Sequence, residues 1–76
     1  MEDKMKETVA EALEVDKSQI TDESSMGNIE NWDSLSHIRI ITNLEEKFDV
    51  KFDENDIMRM TSIAEIKKVL KEKGVE

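Results

Sequence analysis

The sequence has no cysteine, no proline, no tyrosine and only two glycines among its 76 residues. A chain without cysteine forms no disulfides and no thiolate–metal sites, so neither can supplement its small core. The lack of proline and the scarcity of glycine favour helices, because these two residues interrupt helices most strongly. Since no stretch approaches about 20 consecutive apolar residues, the sequence predicts no membrane span. Missing cysteine also suits a reducing compartment, and we expect a cytoplasmic protein.

The formal net charge of −8 is unevenly distributed. Residues 1–58 hold 16 acids and 6 bases, whereas residues 59–76 hold 3 acids and 5 bases. Such a surface repels nucleic acid and anionic lipid, so neither is an expected partner. It either steers the chain toward basic patches on other proteins or merely aids solubility. At this length we expect residues 1–76 to form a single domain. We also expect the protein to be a monomer.

The N-terminal segment alternates acids and lysines with apolar residues three and four positions apart. This pattern predicts an amphipathic helix over about residues 3–14, and it is unlike a signal peptide. The polar residues 16–32 that follow lack periodicity, and they are long for a loop in a small domain. We expect Ile20, Met26 and Ile29 to hold this loop against the core.

Asp33 precedes the next apolar pattern and is predicted to cap a helix over Ser34–Phe48. The three- and four-residue spacing assigns one set of side chains to its buried stripe: Leu35, Ile38, Ile41, Leu44 and Phe48. Ile40 lies off that stripe and is expected to be partly exposed.

The remaining chain predicts two more helices. Val50 and Phe52 alternate like a strand, but no second strand exists to pair with them, so we expect a loop that tucks both inward. A short helix is predicted near Glu54–Arg59. Thr61 or Ser62 then caps a last helix that runs to about Lys73, with Gly74 suited to its end. The fold class is therefore all-α, a four-helix bundle with three longer helices, one short helix and a long first loop.

Metal and catalytic sites are poorly supported. A calcium loop needs acids at alternating positions followed by glycine, and the stretches that begin at Asp16 and Asp53 both lack this pattern. One histidine without cysteine does not make a zinc site, so no metal is expected. Asp33, Ser34 and His37 offer the residue types of a catalytic triad. Adjacent helical residues do not face each other, however, and no group is evident to orient the imidazole.

Ser34 is predicted at the first turn of a helix, where backbone N–H groups lack intrahelical partners and the macrodipole is positive. A phosphate esterified to a serine at this position would be stabilised electrostatically. The hydroxyl is expected to point away from the core, open to an incoming enzyme. The triplet Asp33–Ser34–Leu35 also fits an ordinary helix start, and the residues alone leave both interpretations open.

Four larger side chains have plain structural interpretations. Trp32 is expected to cover the end of the bundle with its indole N–H in water, and His37 to be a solvated helix residue. Contact with a bound group or a partner is the alternative for both. Met58 and Met60 are expected in the core.

The order of these elements resembles the acyl carrier protein family over essentially the whole chain. The resemblance lies in an amphipathic helix, a long polar loop, "DSL", an acidic amphipathic helix ending in "LEEKFDVKF", and "MTSIAEI" opening the last helix. It implies that Ser34 carries a covalent 4′-phosphopantetheine arm, transferred from coenzyme A by a phosphopantetheinyl transferase. The chain would then be a carrier and not an enzyme.

The resemblance also implies a cargo and a docking face. The arm's thiol would hold an acyl or aminoacyl group as a thioester for partner enzymes, as in fatty acid biosynthesis and other lipid metabolism. The stretch "WDSLSHI" is more similar to carriers of specialised pathways, and the cargo stays open. The expected docking residues are Asp33, Leu35, Ile38, Arg39, Glu45 and Glu46, although Arg39 stands where many fatty-acid carriers have an acid.

A second function class remains open at this point. An acidic helical adaptor would bind basic partner surfaces through Glu45 and Glu46 without any attached group. Ser34 would then be dispensable.

Overall fold

The structure is a computed structural model that describes residues 2–75. Four α-helices follow one another along the chain: α1 (Glu2–Leu13), α2 (Ser34–Phe48), α3 (Glu54–Arg59) and α4 (Ile63–Glu72). A short 3₁₀ turn, Lys17–Gln19, lies within the first loop, and residues 2–75 form no strand. The prediction of an all-α bundle with three longer helices and one short helix is confirmed.

Side-chain caps begin three of the helices. The Asp33 carboxylate accepts the Ser36 N–H at 2.9 Å at the start of α2. Asp53 and Asp56 form a reciprocal capping box around α3, and Ser62 caps α4. These caps explain why the predicted bounds of α2 and α3 are confirmed. Helix α1 begins and ends one residue earlier than predicted.

Left-handed residues end three of the helices. Glu14 and Asp49 have φ angles of 60° and 55°, and Gly74 has a φ of 85°. The residue after each one is a valine, which donates its N–H to the carbonyl five residues back at 3.0, 3.2 and 2.9 Å. This arrangement satisfies carbonyls that the helix leaves unpaired and turns the chain back toward the core. The valines that pack there are Val15, Val50 and Val75.

The core lies between α1, α2 and α4, and the largest side chains in it are fully buried: Trp32, Met5, Ile40, Leu44, Met60, Ile63, Ile66 and Leu70. Helix α1 packs chiefly against α2. Ile20 is buried and Met26 and Ile29 are half-buried, so the first loop is held as predicted. Phe52 and Val50 also turn inward as predicted. None of the helices within residues 2–75 has the length and apolar character that crossing a membrane requires.

The predicted stripe of α2 is wrong at three positions. Leu35 and Ile38 are 69% and 53% exposed, whereas Ile40 is completely buried. The face that packs inward contains His37, Ile40, Ile41 and Leu44. Residues at these positions share one side of a 3.6-residue helix as well as the predicted set does. Helix α2 therefore turns its adjacent isoleucines and Leu44 toward the core and leaves the first two stripe residues outside.

Helix α3 is a surface element that buries no residue fully. Met58 is 71% exposed, so its predicted core position is wrong, whereas Met60 directly after the helix is buried as predicted. Charged contacts tie α3 to the end of α4. Arg59 donates two hydrogen bonds to the Glu72 carboxylate, and the Lys73 ammonium lies 2.8 Å from an Asp56 oxygen.

Candidate functional site

Ser34 is the first residue of α2, and its side chain is exposed. The Asp33 cap directly before it is exposed as well. The hydrogen bond from the Ser36 N–H lowers the pKa of the Asp33 carboxyl below its ordinary value of 3.8, so the cap is ionised at neutral pH. A hydroxyl at this helix start is accessible to a modifying enzyme, and a phosphate linked to it would meet the positive end of α2.

A buried hydrogen-bonded chain lies next to Ser34. The Trp32 indole N–H donates to Nδ1 of His37 at 3.0 Å, and the opposite ring nitrogen, Nε2, lies 2.8 Å from the Ile57 carbonyl oxygen of α3. A carbonyl only accepts, so Nε2 carries the proton and Nδ1 is the acceptor. The two rings are stacked with their centroids 6.2 Å apart.

This chain corrects two expectations. Trp32 is 2% exposed and His37 is 7% exposed, so neither is a solvated residue. The reason is that the indole N–H and Nδ1 satisfy each other and Nε2 has the Ile57 carbonyl, which lets both rings be buried without an unpaired donor or acceptor. Because both imidazole nitrogens have other partners, His37 does not act as a base toward the Ser34 hydroxyl in this arrangement.

The other expected docking residues differ in exposure. Leu35 and Ile38 present apolar surface beside Ser34, and Glu46 is exposed on the last part of α2. Arg39 is exposed and lies 3.8 Å from a Glu14 carboxylate oxygen, which is a weak contact. Glu45 is half-buried, since its Oε2 accepts the Phe52 N–H at 3.0 Å. Glu45 therefore has a structural role whether or not a partner also uses it.

A shallow groove of about 410 Å³ lies at the C-terminal end of α2, away from Ser34, and it is lined by Thr42, Glu45, Glu46, Asp49, Val50 and Lys51. The groove is open and mixes acids with one lysine.

Within residues 2–75, no three histidine or carboxylate side chains group together as a metal site requires.

Reasoning from the sequence did not find the Trp32–His37–Ile57 chain or the exposure of Met58. A partial signal was present. His37 shares a helical face with Ile40, Ile41 and Leu44, which would place the only histidine on the inner side of α2. The acceptor for its second nitrogen is a backbone carbonyl 20 residues further along the chain, and no sequence pattern indicates that contact.

Comparison with known proteins identifies the class to which this arrangement belongs. Residues 3–70 match the model of the family described as "Phosphopantetheine attachment site". An acyl carrier protein of Brachyspira hyodysenteriae is 34% identical over 71 residues, which cover 92% of this chain and 91% of that protein. An acyl carrier protein of Thermotoga maritima is 30% identical over 70 residues, covering 92% of this chain and 86% of the relative. The chain therefore belongs to the family of carrier proteins with a phosphopantetheine attachment site.

Membership fixes the general function. The chain is a non-catalytic carrier that holds phosphopantetheine covalently and is modified by a phosphopantetheinyl transferase. Carriers of this kind work with that transferase and with acyl-handling enzymes. The alternative of an adaptor without an attached group is not supported by these matches. The described residues fit the cofactor, because an exposed hydroxyl stands at the positive end of a capped helix.

Proposed function

We propose that Ser34 is the residue that receives the phosphopantetheine arm. The observation that carries this proposal is its place as the exposed first residue of α2, directly after the Asp33 cap. Phosphate oxygens bonded to Ser34 Oγ would lie near N–H groups that have no intrahelical acceptor. When attached, the arm supplies a terminal thiol that carries the cargo as a thioester. The protein itself orients the attachment point and presents it to partners.

The modification test uses two serines of the same turn. The wild-type chain, Ser34→Ala and Ser36→Ala are each incubated with coenzyme A and a promiscuous phosphopantetheinyl transferase, and intact masses are measured. We expect one added phosphopantetheine group on the wild type and on Ser36→Ala, and none on Ser34→Ala. Modification of Ser34→Ala, or an unchanged wild-type mass with several transferases, contradicts the assignment.

The proposed docking surface consists of Asp33, Leu35, Ile38, Arg39, Glu45 and Glu46. Two observations support it: apolar side chains beside Ser34 are exposed, and acids continue along the same helix. Met58 of α3 adds a third large exposed apolar side chain near the same end of α2, because its neighbour Ile57 contacts His37. Apolar contact of this kind supplies affinity, and the charges around it set encounter rate and partner choice.

Glu46 is the cleaner probe of the charged part of this surface, because Glu45 also holds the Phe52 N–H. We expect Glu46→Lys to lower the kcat/KM of the transferase severalfold while the melting temperature stays near that of the wild type. Glu46→Gln is the matched control, since it removes the charge without reversing it, and its effect should be smaller. Equal kcat/KM for all three proteins would exclude Glu46 from the surface.

The cargo, the assembly state and the compartment complete the proposal. We propose an acyl group as the cargo, with an aminoacyl group as the alternative, because the curated relatives are acyl carrier proteins. Mass analysis of the thioester released from the chain in its native host distinguishes them. We further propose that residues 1–76 act as one monomeric domain without nucleic-acid partners. A cytoplasmic location agrees with the need for coenzyme A. Light scattering tests the monomeric state, and cell fractionation tests the location.

A further inference from the structure

We propose that neutral His37 is a positioning residue for modification at Ser34, and that protonation of its ring releases the start of α2 from α3. This inference rests on the proposed attachment at Ser34. His37 does not touch the reacting hydroxyl. It acts by fixing the chain on both sides of Ser34, through Trp32 before the helix and through Ile57 on α3.

The position of His37 makes it suited to this role. It lies three residues after Ser34, on the adjoining turn of α2, and its backbone N–H donates to the Asp33 carbonyl at 2.8 Å. One imidazole thereby joins three segments: the end of the first loop, the first turns of α2, and α3. The surface that presents the attachment point is formed by the last two of these segments.

Few other contacts hold α3. It buries no residue fully, and Ile57 is only half-buried. Its charged link to α4 through Arg59 and Glu72 lies toward solvent, where ion pairs contribute little, and the link from Asp56 to Lys73 is partly exposed. The hydrogen bond from His37 to the Ile57 carbonyl is instead part-buried and continues the buried bond between Trp32 and His37. We therefore expect its loss to loosen α3 more than the loss of either charged link.

Protonation is incompatible with the observed arrangement. An imidazolium donates from both nitrogens, so Nδ1–H would face the indole N–H of Trp32, and two donors do not bond. Within residues 2–75 no charged side chain forms a hydrogen bond or ion pair with His37. On the loop side the Asp33 carboxylate is engaged by the Ser36 N–H. On α2 the neighbouring charge is Arg39, which is positive.

On α3 the charges that flank Ile57 are already paired. The Asp56 carboxylate contacts Lys73, and the Arg59 guanidinium contacts Glu65 and Glu72. Glu54, the other acid of α3, is exposed and forms no hydrogen bond or ion pair with His37. The consequence is that protonation of the ring breaks the contact to Trp32.

The first experiment observes the ring directly, and it does not depend on modification. The chain has one histidine and one tryptophan, so ¹⁵N NMR of the His37 ring and the fluorescence of Trp32 are both free of overlap. At about pH 8 we expect the tautomer with the proton on Nε2. As the pH is lowered until the ring signals report protonation, the fluorescence of Trp32 and the amide signals of α3 should change together with the ring. A proton on Nδ1 at high pH, or an α3 unaffected by ring protonation, overturns the inference.

The second experiment measures kcat/KM for arm transfer to the wild type, His37→Gln and His37→Phe at two pH values, one at which the NMR experiment finds the ring neutral and one at which it finds the ring protonated. Glutamine keeps a donor and an acceptor but does not titrate, so it also corrects for the transferase's own pH dependence. At the lower pH, the kcat/KM of the wild type relative to that of His37→Gln should fall roughly fivefold, which is about the contribution of one hydrogen bond. His37→Phe should be slow at both pH values while remaining folded by circular dichroism.

The outcomes separate the inference from the proposal on which it rests. If the wild type is never modified, attachment at Ser34 fails, and the NMR experiment still decides the tautomer and the release of α3. If the wild type and His37→Gln show the same rates at both pH values, attachment stands and the positioning role is wrong. Should His37→Phe not fold, Trp32→Phe replaces it. That variant removes the indole N–H together with part of the buried ring system, and it should make the rate of transfer less sensitive to pH.

Discussion

The Asp33 carboxylate accepts the backbone N–H of Ser36 at 2.9 Å and so spans the residue that we assign as the attachment point. The cap gives α2 a defined start and leaves the Ser34 hydroxyl outside the hydrogen bond. The same acid is expected to take part in docking, so capping and recognition have to be separated by experiment.

Two substitutions separate the two roles of Asp33. Asp33→Ala removes the cap and should lower the melting temperature by roughly 5 °C, whereas Asp33→Asn keeps an accepting oxygen and should change it little at neutral pH. Both variants lose the charge, so both should lower the kcat/KM of the transferase. Normal kinetics with Asp33→Asn would leave the residue with a capping role alone.

The pH dependence of stability checks the same cap. The Ser36 N–H holds the pKa of Asp33 below its ordinary value of 3.8, so the ionised carboxylate is favoured in the folded state. Its contribution is complete above that ordinary value and is lost as the pH falls through the lowered pKa. In acid denaturation, Asp33→Asn should therefore lose less stability than the wild type below about pH 4. Parallel curves for the two proteins would contradict this account of the cap.

Two isoleucines of α2 test which face is buried. Ile40→Ala should cost about 2–5 kcal/mol of unfolding free energy, because Ile40 is completely buried in the core. Ile38→Ala should cost well under about 1 kcal/mol, since more than half of its side chain is exposed. Urea denaturation measures both free energies. A larger loss of unfolding free energy for Ile38→Ala than for Ile40→Ala would support the buried stripe that was predicted from the sequence.

Neighbouring glutamates test the structural role of Glu45. Removing its side chain in Glu45→Ala leaves the partly buried Phe52 N–H without its acceptor, and should cost about 1–3 kcal/mol. Glu45→Gln retains an acceptor and should cost less. Glu46→Ala, one residue further on and exposed, should leave the unfolding free energy almost unchanged. Equal effects of the two alanine variants would mean that the Phe52 contact contributes nothing.

The left-handed end of α2 offers a stabilising change. Asp49 has a φ of 55°, a conformation that costs residues with a Cβ but is free for glycine. We expect Asp49→Gly to raise the unfolding free energy by about 0.5–1 kcal/mol. Asp49→Ala is the control, because it removes the same charge while keeping a Cβ, and it should not stabilise. A gain with both variants would point to relief of charge repulsion instead.

Local signals predicted much of the fold. The start of α2 followed from a recognisable cap, because Asp33 was predicted to cap the helix and does so in the structure. The bounds of α3 were also predicted, although its Asp53 cap was not. The exposed serine at a helix start could likewise be anticipated. The inner face of α2 could not, since two sets of apolar positions share helical spacing. Only packing against α1 and the first loop decides between them.

The burial of Trp32 and His37 shows what local reasoning lacks. Each side chain alone is amphipathic and is expected near water. Buried together, they satisfy each other, and the remaining imidazole N–H finds a carbonyl of α3. That outcome depends on three segments meeting in space. The left-handed Glu14 and Asp49 were missed for a related reason, because glycine is the usual signal for such helix ends.

The most direct measurement of the central claim is fragmentation mass spectrometry of the modified protein. The wild-type chain is loaded by a phosphopantetheinyl transferase and cleaved, and the added group is located among its serines. The account predicts that all of the phosphopantetheine is found on Ser34. Finding it on Ser36 or any other serine would contradict the account.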